Sequence, residues 1–170
     1  EFTINKTAVA SINSPVISQW SNEWHGLEAV AEPFNVEFGL MIMFLAICLG
    51  AMYLINNIAD STLAYRLRRC LMFCFCCFLT MFLIVITQLM TMDGFAVNAD
   101  GNIYRETHKY MHNLLQMPIV LIIFLTGVLL LLTSITISLI KSSFRRGIWF
   151  GGLGTILSVI AIFMIAGYNN

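Results

Sequence analysis

The sequence predicts an all-α integral membrane protein: four transmembrane helices as two antiparallel hairpins, plus an external N-terminal amphipathic helix. Three observations carry this expectation. Four apolar runs, at 38–55, 70–90, 114–140 and 148–166, contain no Asp, Glu, Lys or Arg, and each is near or above the ~20 residues a helix needs to cross the hydrocarbon. Only 11% of the residues are charged and 59% are hydrophobic, where a soluble domain carries about 25% charged residues. Six of the nine Lys and Arg fall in two short stretches between apolar runs.

The chain divides accordingly into an external N-terminal segment (1–37), a first hairpin (38–90), an external loop (91–113) and a second hairpin (114–170). The start at Glu1 rather than Met suits a removed signal peptide or an engineered start. Residues 1–17 are polar and β-branched without helical period, and Asn5-Lys6-Thr7 forms a glycosylation sequon. In 18–32, Trp20, Trp24, Leu27 and Ala31 recur at helical spacing while Glu23, Glu28 and Glu32 lie off that stripe. Ser18 is placed to cap such a helix and Pro33 to end it. Trp20 and Trp24 then anchor it at the membrane surface or pack it on the protein's own outer face.

Charge fixes the orientation. Segment 56–69 carries a net +2 from Arg66, Arg68 and Arg69 against Asp60, and segment 141–147 carries +3 from Lys141, Arg145 and Arg146. The N-terminal segment is −4 and the 91–113 loop is −1. Because short basic loops stay inside, the two basic turns are expected to be cytoplasmic, with both termini and the 91–113 loop outside. Within that loop, Asp93-Gly94 and Asp100-Gly101 are turn dipeptides, and the apolar stretches around 98–101 read as a small hairpin. Thr107 is placed to cap a helix entering the membrane. Pro118 either kinks the third run or marks where its embedded part begins.

Chemistry is sparse. His108 and His112, four apart, would share a helical face and are the candidates for a metal, with Glu106 or His25 assisting. They lack a clear third ligand, and the same residues suit a helix entry at headgroup level. All three His lie outside the apolar runs, which disfavours a transmembrane haem. Cys48, Cys70, Cys74, Cys76 and Cys77 lie in or beside the runs, so no external disulfide framework is expected, and Cys is read as a small apolar packing residue or, at Cys70 and Cys74, a palmitoylation site. No cofactor, no catalytic residue and no direct nucleic-acid binding are expected. The absence of ionisable groups within the runs disfavours a transporter acting alone, and four lipid-bathed helices are expected to enclose no large cavity.

The fourth run holds the clearest pattern. Gly147, Gly151, Gly154, Ser158, Ala161 and Ile165 follow alternating spacings of four and three, a narrow seam that permits close helix approach within the bundle or against another subunit. Ala46 and Gly50 give the first run a shorter version, and Thr133, Ser134, Thr136 and Ser138 form a hydroxyl band on the third.

An apolar hairpin with a basic cytoplasmic turn and both ends outside resembles the pilins of type IV secretion systems. Two such hairpins in tandem resemble the small multispanning components of type IVB, Dot/Icm-like secretion and conjugation systems, over 38–167. The resemblance implies a non-enzymatic structural subunit of the bacterial inner membrane, partnered by other membrane subunits or further copies of itself. It also implies that Arg66, Arg68, Arg69, Lys141, Arg145 and Arg146 face a conduit. The alternatives are an accessory subunit of a respiratory or other redox membrane complex, and a small transporter or channel.

Overall fold

Four helices, each long and apolar enough to cross a bilayer, dominate the computed structural model and make the chain an integral membrane protein. The structure describes residues 2–4, 18–20, 23, 26–97, 103–141 and 143–168. In order these form β1 (Phe2–Ile4), β2 (Ser18–Trp20), a 3₁₀ helix (Leu27–Ala31), α1 (Pro33–Asn57), α2 (Ser61–Thr91), β3 (Gly94–Val97), β4 (Ile103–Glu106), α3 (Lys109–Gln116), α4 (Pro118–Ile140) and α5 (Gly147–Gly167).

The expected N-terminal helix over 18–32 is absent from the described part of that stretch. Ser18, Gln19 and Trp20 instead pair antiparallel with Ile4, Thr3 and Phe2. Gly26 adopts φ 94°, a left-handed conformation that ends any continuous right-handed helix there and that glycine takes without a Cβ penalty. What remains helical is one 3₁₀ turn, with Leu27 and Val30 exposed. Trp24 and the 5–7 sequon lie outside the described residues.

Pro33 starts α1 rather than ending a preceding helix. It occupies the first helical position behind Glu32, where its missing N–H removes no hydrogen bond and its fixed φ suits the helix. At the other end, Asn57 Nδ2 donates to Tyr53 O (2.8 Å) and the Ile58 N–H to Leu54 O (2.9 Å). The connection to α2 is then only Ile58–Asp60. Asp60 caps α2 by accepting from the Thr62 and Leu63 N–H groups at 2.7 and 3.2 Å. Arg66, Arg68 and Arg69 therefore ride on the first turns of a 31-residue helix. At ~1.5 Å per residue that helix exceeds a ~30 Å hydrocarbon layer, so its basic start can stand in the headgroup region.

The third apolar run is two helices. The chain breaks at Met117 (φ −115°, ψ 76°), and Pro118 begins α4. The α3 N-terminus is His108, in the left-handed region (φ 53°) with no side-chain cap, rather than Thr107. β3 and β4 pair antiparallel from Gly94↔Glu106 to Val97↔Ile103.

Packing is mainly within hairpins, α1 on α2 and α4 on α5, with α1 also meeting α5 and α2 meeting α3 and α4. One core gathers Cys48, Met52, Leu71, Phe78 and Ile135, among others, from α1, α2 and α4. A second gathers Leu114, Val120, Phe124, Ala161 and Ile165 from α3, α4 and α5. Arg68 Nε donates to Ser138 O (3.3 Å) across the hairpins, which aligns their basic ends.

The small-residue seam lies inside this bundle. Gly147, Gly151, Gly154, Ser158, Ala161 and Ile165 are all buried. A Cβ on Gly154 would stand 2.6 Å from both Gly127 O and Leu131 N, and one on Gly127 would stand 2.6 Å from Ser158 Oγ. The α4 and α5 backbones thus touch where both helices lack side chains. A Cβ on Gly151 would meet Met52 Cε at 2.8 Å, and one on Gly147 would meet Ser138 Oγ. The hydroxyls bond mainly within their own helix: Thr133, Ser134, Thr136, Ser138 and Ser158 each donate to a carbonyl of that helix. Ser138 Oγ additionally approaches Met52 Sδ at 3.7 Å. Ala46 and Gly50 are exposed, and nothing lies within 4 Å of a Cβ built on Gly50.

Candidate functional site: a polar layer over an apolar cleft

The end of the bundle away from the basic residues carries a polar layer. Glu106, the last residue of β4, reaches His112 Nδ1 at 2.8 Å through Oε1 and Lys109 Nζ at 3.4 Å through Oε2. Lys109 is 1% exposed, lying against Gly94, where a Cβ would meet Lys109 Cγ at 2.8 Å. The hydrogen bond from His112 is the main cause that holds the Glu106 carboxyl below the usual glutamate range; burial opposes it, and the hydrogen bond and charge of Lys109 reinforce it. Arg105 pairs with Asp93 at 3.2 Å.

One turn along α3, the buried Asn113 Nδ2 donates to Ile165 O (2.9 Å) and Tyr168 O (3.1 Å). These are carbonyls at the C-terminal end of α5, where no further helical N–H is available to them. Lys109 and Asn113, four apart, thus fix α3 to the loop hairpin and to α5 at once. Neither residue stands out in the sequence, where Lys109 and Asn113 read as loop polarity; their helical spacing of four is the one signal that could have paired them.

Glu37 is a second residue missed in the sequence reading. By sequence it falls in the external segment 1–37, yet it lies within α1 and accepts from Gln88 Nε2 of α2 at 2.7 Å. The span as folded therefore contains a carboxylate, and reading Pro33 as a helix start would have revealed it.

Below this layer an apolar cleft of about 310 Å³ opens between the two hairpins. A neighbouring cleft of about 180 Å³ shares Phe38, Met41, Phe82 and Ile162 with it. This departs from the expectation of a bundle without a sizeable cavity. Ser158 lines the cleft, but its hydroxyl is bonded to Gly154 O. The cleft therefore suits a hydrocarbon chain rather than a polar group.

The candidate metal pair is not brought together on one helix face, because His108 precedes α3 in a left-handed conformation while His112 turns to Glu106. No group of three or more His, Cys, Asp and Glu suited to a metal ion occurs among the described residues. The sulfur atoms divide: Cys48 and Cys74 are buried in the first core, while Cys70 and Cys76 are exposed on α2. The six basic residues of the opposite end lie at the α1–α2 connection side and around the start of α5, with Arg66, Arg69, Lys141, Arg145 and Arg146 exposed.

A comparison with curated proteins finds no match. The family model described as cytochrome bd terminal oxidase subunit II matches residues 6–170. That match overturns the expected kinship with type IVB secretion components and, with it, the secretion and protein-transport role and the conduit for the basic residues. It also corrects the expectation that the chain stands outside enzymes, since a terminal oxidase is one. The resemblance to pilins rested on topology, and the bilayer imposes tandem hairpins with basic turns on membrane proteins of unrelated descent. The chain belongs to the cytochrome bd terminal oxidase subunit II family.

Proposed function

We propose that the chain is a membrane subunit of a cytochrome bd-type terminal oxidase in the bacterial inner membrane, acting within the enzyme alongside other oxidase subunits. The observation that carries this is the family match across nearly the whole chain. The orientation that agrees with the charge distribution puts the basic end in the cytoplasm and the acidic N-terminal segment and 91–113 loop outside.

A cytochrome holds haem, and haem iron takes axial ligands such as His, Met or Cys. The residues here do not fit that role. The sequence places no histidine in any of the four spans. Cys48 and Cys74 are enclosed by the carbon side chains of the core, Met52 is packed against Ser138 and Gly151, and Met41, which lines both apolar clefts, has no His, Cys or second Met beside it in their walls. The chain therefore supports a haem-bearing partner rather than ligating the iron itself. The open face of α1 suits that support: Gly39, Ala46 and Gly50 share one side at heptad-like spacing, and a Cβ on Gly39 or Gly50 meets nothing within 4 Å. Such a face admits close approach of a partner helix.

Purification of the tagged chain from its native membrane in mild detergent tests the proposal. The expected result is co-purification with a larger subunit and a reduced-minus-oxidised haem spectrum that disappears when the chain is separated from it. A chain that emerges alone, or one that keeps haem after separation, would refute it.

A further inference from the structure

We propose that the basic end of the bundle carries a binding site for the phosphate headgroup of an anionic phospholipid. The site is a cleft of about 450 Å³ lined by Tyr53, Asn56 and Asn57 at the end of α1 and by Ile148 and Trp149 at the start of α5. This inference stands apart from the oxidase reading and does not depend on it.

The wall is mainly apolar and also carries side chains that can donate hydrogen bonds to a phosphate. Among the described residues, the Tyr53 hydroxyl, the Asn56 carboxamide and the Trp149 indole N–H have no hydrogen-bond partner, and Asn57 turns its Nδ2 back to Tyr53 O. All three uncommitted side chains can donate to a phosphate oxygen. Arg145 and Arg146 stand just before the lining residues, separated from Ile148 by Gly147, and the Trp149 backbone N–H bonds to Arg146 O at 3.2 Å, so the Arg146 backbone lies within one turn of the cleft. Both arginines are exposed, and guanidinium groups recognise phosphate by paired hydrogen bonds.

Charge at this end is one-sided. Arg66, Arg68, Arg69, Lys141, Arg145 and Arg146 face a single acid, Asp60, and that carboxylate is engaged by the α2 backbone. Basic pockets between transmembrane helices at the membrane surface are where anionic headgroups bind. Trp149 (72% exposed) and Tyr53 (57% exposed) are aromatic side chains with a polar tip, the kind that sits at headgroup depth with its ring toward the acyl chains. Apolar neighbours on the same faces, Leu54, Phe150 and Leu153, are exposed to the bilayer and can cover the upper part of a lipid tail.

Native mass spectrometry of the full chain with its accompanying subunits, delipidated and then offered equal phosphatidylglycerol and phosphatidylcholine, tests the site. The expected result is selective retention of phosphatidylglycerol. An Arg145→Gln/Arg146→Gln double variant should retain it roughly thirtyfold less well, since each of the two basic residues contributes ~1 kcal/mol toward anionic lipid. Arg66→Gln/Arg69→Gln removes the same charge from the same end but from α2, which contributes no residue to the cleft, and should lose far less. Trp149→Phe and Asn56→Leu, which leave the charge unchanged, should weaken retention as well. Equal loss in the two arginine doubles would overturn the site in favour of general surface charge. Equal retention of phosphatidylcholine would overturn it too, as would displacement of bound lipid by millimolar inorganic phosphate, because a free anion would then be the ligand.

Discussion

Adding one methyl group at Gly154 probes the closest helix contact in the molecule. The new Cβ of Gly154→Ala would stand 2.6 Å from Gly127 O and from Leu131 N, and 3.1 Å from Leu130 Cβ. Two of these three atoms are backbone and cannot rotate away. Reaching an ordinary contact near ~3.4 Å requires α4 and α5 to part by several tenths of an ångström, and gaps of 0.5–1 Å forfeit roughly a quarter to a half of each dispersion contact along the seam. Overpacking of this kind costs about 1–3 kcal/mol. Against it stands the ~0.5–1 kcal/mol by which alanine exceeds glycine in a helix interior, leaving a net loss of about 1–2 kcal/mol. Gly152→Ala is the matched control, because nothing lies within 4 Å of its Cβ, so it should be neutral or mildly stabilising. The assay is unfolding of the chain by sodium dodecyl sulfate in mixed micelles, followed by circular dichroism. If the two variants shift the midpoint equally, the close approach of α4 and α5 at Gly127 and Gly154 is refuted.

Further outcomes follow from the polar layer and the open faces. Asn113→Leu removes the donor to Ile165 O and Tyr168 O and should cost about 1–3 kcal/mol, the penalty for buried groups left unpaired; hydrogen exchange should rise in α3 while α1 and α2 are unchanged. The depressed Glu106 pKa stabilises the fold above the ordinary glutamate value of ~4.3, and that contribution is lost as pH falls through the lower folded value. Exchange protection of α3 amides should therefore drop on acidification in the wild type. Glu106→Gln should remove that acid-dependent step, and a variant with an unaltered step would show that another group controls it. Gly50→Leu should leave the chain's own unfolding midpoint unchanged but reduce its recovery with oxidase subunits; unimpaired recovery would exclude this face of α1 as the contact.

The four spans were legible because lipid demands long uncharged runs, a coarse signal that tolerates errors of several residues at each end. Those errors had consequences: taking Pro33 as a terminator rather than a first helical residue hid Glu37 inside α1. The 18–32 stretch was misread because Trp20 and Trp24 match a helical period that local pairing of 18–20 with 2–4 and the left-handed Gly26 override. Such tertiary or cross-strand partners leave no mark in a window of fifteen residues. The seam of α5 was visible as spacing, but its partner was not, since Gly127 stands alone in the sequence of α4 and becomes meaningful only opposite Gly154. The buried Lys109 was hidden by its charge, which in sequence reads as loop and in the structure is matched by Glu106. Family membership was the least legible property. It resides in residue-level similarity along 6–170, whereas hairpin topology and basic turns reflect the solvent.

The central claim, that this chain is a working part of a terminal oxidase, is tested most directly by oxygen uptake. Quinol-driven uptake should be measured in membranes of a host whose other terminal oxidases have been deleted, with the chain present, removed and restored. Uptake that falls to background on removal and returns on restoration is the predicted result. Uptake that is the same in all three membranes would contradict the claim.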